Sequence, residues 1–227
     1  MMRLRSLLSV ILVTAGHGHS ALGQGRTIDE GAFLVTRRGT PVQTESFRIA
    51  RMDNNLIQAT AEVSEGDDRI SASLMADSLG TPVAYRYVEK NRGVTKLDVR
   101  ALAGGKRLSL KASDDRSNES VRDFPVSAGQ CVILDDELLH QLFFVTLAKR
   151  TGTLQVIVPK HARGEPAVLS GRGLETVDIA GKTVTATHYS LVNGSVAREF
   201  WTDPAGRVLR VEIPTLGLTA VREELPR

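Results

Sequence analysis

The sequence predicts a mainly β protein: a long antiparallel meander curled into a half-barrel around one buried central helix at about residues 135–150. Three observations predict it. Apolar and polar residues alternate with period two along most of the chain, the mark of strands with one buried face. Turn residues interrupt these runs about every 8–12 positions, with no strand–helix–strand rhythm. One stretch, residues 135–150, breaks both patterns.

The elements follow in chain order. Residues 1–23 read as a cleaved signal peptide. Arg3 and Arg5 form its basic start, Leu7 to Val13 its apolar stretch, and Ala21 and Gly23 its small-residue cleavage site. The apolar run is too short for a membrane span, which needs about 20 residues, and no Cys stands at the site to carry a lipid. The remainder, residues 24–227, reads as one soluble half-barrel domain, periplasmic or secreted. Phe47 and Ile49 alternate with Ser46 and Arg48. Ile57, Ala59, Ala61 and Val63 alternate with Gln58, Thr60 and Glu62. Leu97, Val99 and Ala101 do the same against Lys96, Asp98 and Arg100, and Leu209, Val211 and Ile213 against Arg210 and Glu212. A one-residue slip would expose each set, so register is strongly specified. Asn193-Gly194 suits the centre of a type I′ hairpin. Roughly a dozen strands are expected in all.

Residues 135–150 carry Asp135 and Asp136 at the start and Lys149 and Arg150 at the end, the polarity a helix dipole favours. Leu138, Leu139, Leu142, Phe143, Phe144, Val145 and Leu147 occupy nearly the whole circumference of a helical wheel. Such a helix is buried, and a single buried helix amid strands implies a sheet curled around it.

Three stretches carry a resemblance: "EGAFLVTRRGTPVQTESFRIAR", "VILDDELLHQLFFV", and "ATHYSL" followed by "FWTDPAGRVLRVEIP". In this order, behind a signal peptide, they resemble bacterial exported proteins of uncharacterised function, which are similar to the half-barrel group of the lipoprotein carriers LolA and LolB. The resemblance implies a fold, a compartment and the holding of an apolar or lipid-like ligand in the concave face. It carries no catalytic residue, and the missing lipid-attachment Cys departs from an anchored acceptor. Within the last stretch, Tyr189 is expected to pack across strands with Phe200 or Trp201.

Composition excludes several classes. The chain of 227 residues has a formal charge of +3. Without residues 1–23 it keeps 27 basic and 26 acidic residues, a charge of +1, and three histidines: His140, His161 and His188. Near-neutral charge and 4% aromatic content argue against nucleic-acid binding. The single Cys131 forms no intrachain disulfide and reads as a buried structural thiol. The common hydrolase and nucleotide motifs are missing. The leading expectation is therefore a non-enzymatic binding protein without cofactor or metal. Its partner would be a hydrophobic small molecule or lipid, with Phe124, Leu139, His140, Phe143, Phe144, His188 and Trp201 as ligand-binding residues. The alternative is a non-catalytic interaction protein whose helix plugs the barrel and whose sheet edge engages a protein partner. A third is a metal-dependent hydrolase, requiring His140, His188 and an Asp to converge. No transmembrane anchor is expected.

Overall fold

The computed structural model describes residues 25–147 and 151–227; the signal-peptide stretch and Lys149–Arg150 lie outside them. The first half contains β1 (Arg26–Arg37), β2 (Thr40–Arg51), β3 (Ile57–Glu65), β4 (Asp68–Ala76), β5 (Pro82–Asn91), β6 (Val94–Gly104), β7 (Arg107–Asp114) and β8 (Glu119–Pro125). A short strand β9 (Cys131–Ile133), a 3₁₀ turn (Leu139–Gln141) and helix α1 (Leu142–Leu147) come next. Then follow β10 (Gly152–Val158), a second 3₁₀ turn (Pro159–His161), β11 (Arg163–Ile179), β12 (Lys182–Asn193), β13 (Val196–Thr202), β14 (Val208–Ile213) and β15 (Leu218–Arg222).

All fifteen strands form one sheet, in the order β8-β7-β6-β5-β4-β3-β2-β1-β15-β14-β13-β12-β11-β10-β9. The expected meander is there as two runs joined where β1 pairs with β15. Its register follows the alternation: Ile57, Ala59, Ala61 and Val63 face the core beside Phe47 and Ile49, and Gln58, Thr60 and Glu62 face out. The one parallel pairing, β9 with β10, was not legible in turn spacing, because the chain crosses the barrel between them. β8 and β9 end the sheet and do not pair. Arg122 of β8 instead donates to the Ala162 carbonyl at 3.1 Å, and the Phe124 ring packs on Gly164. The sheet thus curls until its outer lip, β8, rests on the β10–β11 hairpin.

The structure corrects three local expectations. Of the helix expected over 135–150, residues 135–138 are not helical; helical geometry covers 139–147, and residues 148–150 lie outside the described residues. Residues 135–138 are held out of the helix because their polar groups have other partners. Asp135 accepts from the Tyr85 hydroxyl and the Lys160 N–H, while its own N–H donates to Gln141 Oε1 at 2.7 Å. The β12–β13 turn centres on Gly194-Ser195, with Asn193 paired to Val196. Gly194 alone has a positive φ, 56°, which makes the turn type II′. Finally, Leu209 leaves the face of Val211 and Ile213. A register shift between β13 and β14 turns it toward Trp201, in a second small cluster with Val177, Ile179 and Ala186 on the outer side of the sheet.

The concave face is packed solid. Leu138, Leu139, Leu142, Phe143, Phe144 and Val145 are buried against Phe33, Phe47, Ile49, Ile57, Leu74, Phe200 and Val211. Tyr189 stacks on Phe200 at 5.3 Å, as expected. Gly80, in the β4–β5 turn, meets α1 directly. Its φ is +77°, and a Cβ there would stand 2.7 Å from the Phe144 carbonyl oxygen. Gly80→Ala therefore combines left-handed strain with a backbone clash and should lower stability by about 2 kcal/mol or more. Gly93→Ala, with φ +80° but open space around it, should cost about 1 kcal/mol. Urea unfolding of the two variants checks the difference.

Candidate functional site

The strongest concentration of buried polar chemistry lies where the plugging segment, residues 134–147, meets the barrel wall. Three wall strands, β2, β5 and β13, contribute polar residues at positions whose parity points inward. On β2, Glu45 shares the face of Phe47 and Ile49. It is fully buried and accepts three hydrogen bonds from the plug: Leu139 N–H at 2.8 Å, His140 N–H at 3.2 Å, and His140 Nδ1 at 2.5 Å. The His140 ring stacks on Phe47 at 5.8 Å. Glu45 thus satisfies the start of the 3₁₀ turn, where no residue of the plug itself supplies a side-chain cap. Gln43, two residues back, donates to the Glu137 carbonyl at 3.0 Å. On β13, the buried Arg198 pairs with Asp136. Lys160 joins Glu89 of β5 at 3.0 Å and Glu137 at 2.7 Å.

Asp135 is the most perturbed carboxylate. Burial pushes it up to about 7, against the lowering pull of the Tyr85 hydroxyl and the Lys160 N–H. Tyr85 is raised well above its ordinary value by its own burial and by Asp135. Cys131 is pushed up to about 12 by burial, which leaves it an inert thiol at neutral pH, as expected.

Five of the predicted ligand-binding residues are buried on the inner side. Phe124, Leu139, His140, Phe143 and Phe144 are all at most 4% exposed on the inner side. They fill the space a ligand would need. The other two, His188 and Trp201, lie on the outer side, so the seven do not make one site. His188 stacks on Trp201 at 4.4 Å, with Nδ1 at 2.8 Å from Glu175 and Nε2 at 2.8 Å from Glu199. Trp201 Nε1 donates to Glu175 at 2.9 Å. His140 and His188 belong to separate clusters with separate carboxylates, and among the described residues no group of three His, Cys, Asp or Glu is placed to hold a metal. The carboxylate that meets His140 is Glu45, 95 residues away. The missed signal was a carboxylate on the buried parity of an otherwise regular strand.

The clefts are on the surface. One of about 540 Å³ is lined by Asp29, Glu30, Arg207, Glu223 and Arg227. Another, of about 430 Å³, lies by the seam at Gln130, Thr153, Gln155 and Glu165. The gap bordered by Val132, Val145, Leu154 and Leu169 holds only about 40 Å³, room for little more than a water.

No protein-family model matches the sequence, and no curated protein matches it. The fold has a solved counterpart. The chain is similar to a β-barrel-like protein of the domain of unknown function DUF1849 from Brucella abortus, with a TM-score of 0.53 and 9% identity over 87% of this chain and 96% of that one. At such identity the likeness speaks for the fold alone: a β-barrel-like curled sheet. A DUF1089 family protein from Pseudomonas aeruginosa aligns over 95% of this chain and 98% of its own, with 14% identity and a TM-score of 0.41. Among the described residues no helix is long and apolar enough to cross a membrane.

Two outcomes follow from the plug's contacts. Glu45→Leu leaves two backbone N–H groups and the His140 ring without a partner in a dry interior, and should cost about 3–5 kcal/mol in urea unfolding. Asp135 has a folded-state value, about 7, above its ordinary 3.8. Its contribution to stability is therefore complete below about pH 4 and is lost as pH rises through about 7. The wild type should lose stability relative to Asp135→Asn between pH 5 and pH 8, measured by urea midpoints across that range.

Proposed function

We propose that this is a non-catalytic, exported binding protein that works through its outer surface, its concave chamber being occupied by its own chain. The observation that carries the reading is the plug. Phe143, Phe144, Leu139 and Leu142 stand where an apolar ligand would, and each is at most 4% exposed. A pocket for a small molecule is typically about 300–1,000 Å³ and largely apolar. The spaces of that size described above are open surface clefts with charged or polar linings, and the apolar gap is far smaller. A carrier of the LolA and LolB kind needs a concave face free to receive its cargo, so that finer relation lacks support from the packing. The acid–base pairings also favour binding over catalysis. His140 and Asp135 are sealed among plug and wall residues, and general acid–base work needs contact with a substrate at roughly 3 Å. Export rests on the signal-peptide pattern of residues 1–23.

The test uses the protein purified after signal-peptide removal. Native mass spectrometry should give the bare mass of the chain, and titration with a lipophilic dye should give no saturable signal. A lipid retained in a one-to-one complex would overturn the reading in favour of an apolar-ligand carrier.

A further inference from the structure

We propose that the convex face of β4–β8 docks on the surface of an anionic phospholipid membrane. This rests on the outer-surface reading above and names the partner of that surface.

The argument begins with register. Like charges directly opposite each other on neighbouring strands are destabilising, yet this face places three cation pairs in that position. Arg69 stands opposite Lys90, Arg86 opposite Arg100, and Arg100 opposite Lys111. All five residues are exposed. Carboxylates offset them only in part. Asp98 meets Arg100 at 3.0 Å and Arg86 at 3.6 Å, and Glu119 meets Lys111 at 2.8 Å. Glu62 accepts from Ser71, and Asp123 is engaged by Ser109 and Arg107. Among the described residues Arg69 and Lys90 form no ion pair, and Arg69 donates to the carbonyls of Gly66 and Asp68. Folding alone gives no reason to line up these cations.

Two exposed apolar side chains choose the partner. Leu102 is 66% exposed, two residues along β6 from Arg100 and on the same face. Val121 is 72% exposed and directly opposite Lys111. A dissolved polyanion would gain nothing from either. A bilayer interface takes both kinds of group at once: cations at the headgroup phosphates, apolar side chains in the acyl boundary. The rings of these strands, Tyr85, Tyr87 and Phe124, are buried inward, so the face has no stacking platform for nucleic-acid bases.

The experiment is vesicle co-sedimentation of the protein after signal-peptide removal. Vesicles of phosphatidylcholine alone are compared with vesicles that also contain phosphatidylglycerol. Binding is expected only with phosphatidylglycerol and should weaken as salt rises. Arg100→Gln should weaken partitioning about fivefold, and Leu102→Ser should weaken it as well. The melting temperature of Arg100→Gln should stay about level, because two like-charge pairings are relieved against the loss of one exposed ion pair with Asp98, which separates lost docking from lost folding. No sedimentation, equal sedimentation with neutral vesicles, or binding to a soluble polyanion such as heparin without binding to vesicles would each overturn the proposal while leaving the surface-binding reading intact. A lipid found inside the barrel by native mass spectrometry would instead overturn that reading, whatever the vesicles show.

Discussion

A sheet of fifteen strands curled on itself has an inner face that must be kept dry, and its own side chains do not meet across the middle. Everything else in this molecule answers that constraint. Many inward positions on β3 and β4 are alanines, Ala59, Ala61, Ala72 and Ala76, too short to close the gap. The segment between β8 and β10 crosses the interior and supplies the missing volume as Leu138, Leu139, Leu142, Phe143 and Phe144. Burying each such side chain contributes about 1.5–3 kcal/mol, enough to make the crossing segment as much a part of the core as any strand.

Apolar volume alone would let such a segment slide. Its placement comes from directional contacts made one strand at a time: Gln43 and Glu45 from β2, Tyr85 and Glu89 from β5, Arg198 from β13. Because buried polar groups are costly when unpaired, these contacts admit one seating of the plug and penalise others. Among the described residues four buried polar atoms have no partner: Arg198 Nη1 and Asn193 Oδ1 of the wall, and Glu137 Oε2 and Gln141 Nε2 of the plug. The boundary is less completely satisfied than the strand ladders around it.

The strands were legible because one buried face and one wet face imprint a period of two on every run. The helix was legible as an apolar segment but not in its length, since nothing local announces that Asp135 will bond Tyr85, 50 residues away. Register shifts were invisible for the same reason. Leu209 continues the parity of Val211 in sequence, yet its side chain is placed by a bulge that depends on the neighbouring strand. The seven residues expected to line one site were chosen for chemistry, apolar rings and histidines. Five are buried on the inner side, and the sixth and seventh lie on the opposite side, because strand parity fixes a face only relative to its own strand. Glu45 is readable from parity, since its carboxylate shares the buried face of Phe47 and Ile49.

The pairing of β1 with β15 has a consequence for how the chain comes to be folded. Asp29 and Arg222, joined by two hydrogen bonds at 2.8 and 3.0 Å in the interior, are 193 residues apart. The run β1–β8 and the run β10–β15 are each built from neighbours in sequence, but the joint between them brings together strands almost two hundred residues apart. Contacts of such separation form slowly, since the intervening loop must close first. A chain made from its amino end has β1 long before β15 arrives. Over that interval β1 has one partner, β2, and its other edge stays open. The topology holds the finished barrel back until the strand at residues 218–222 is present to close it.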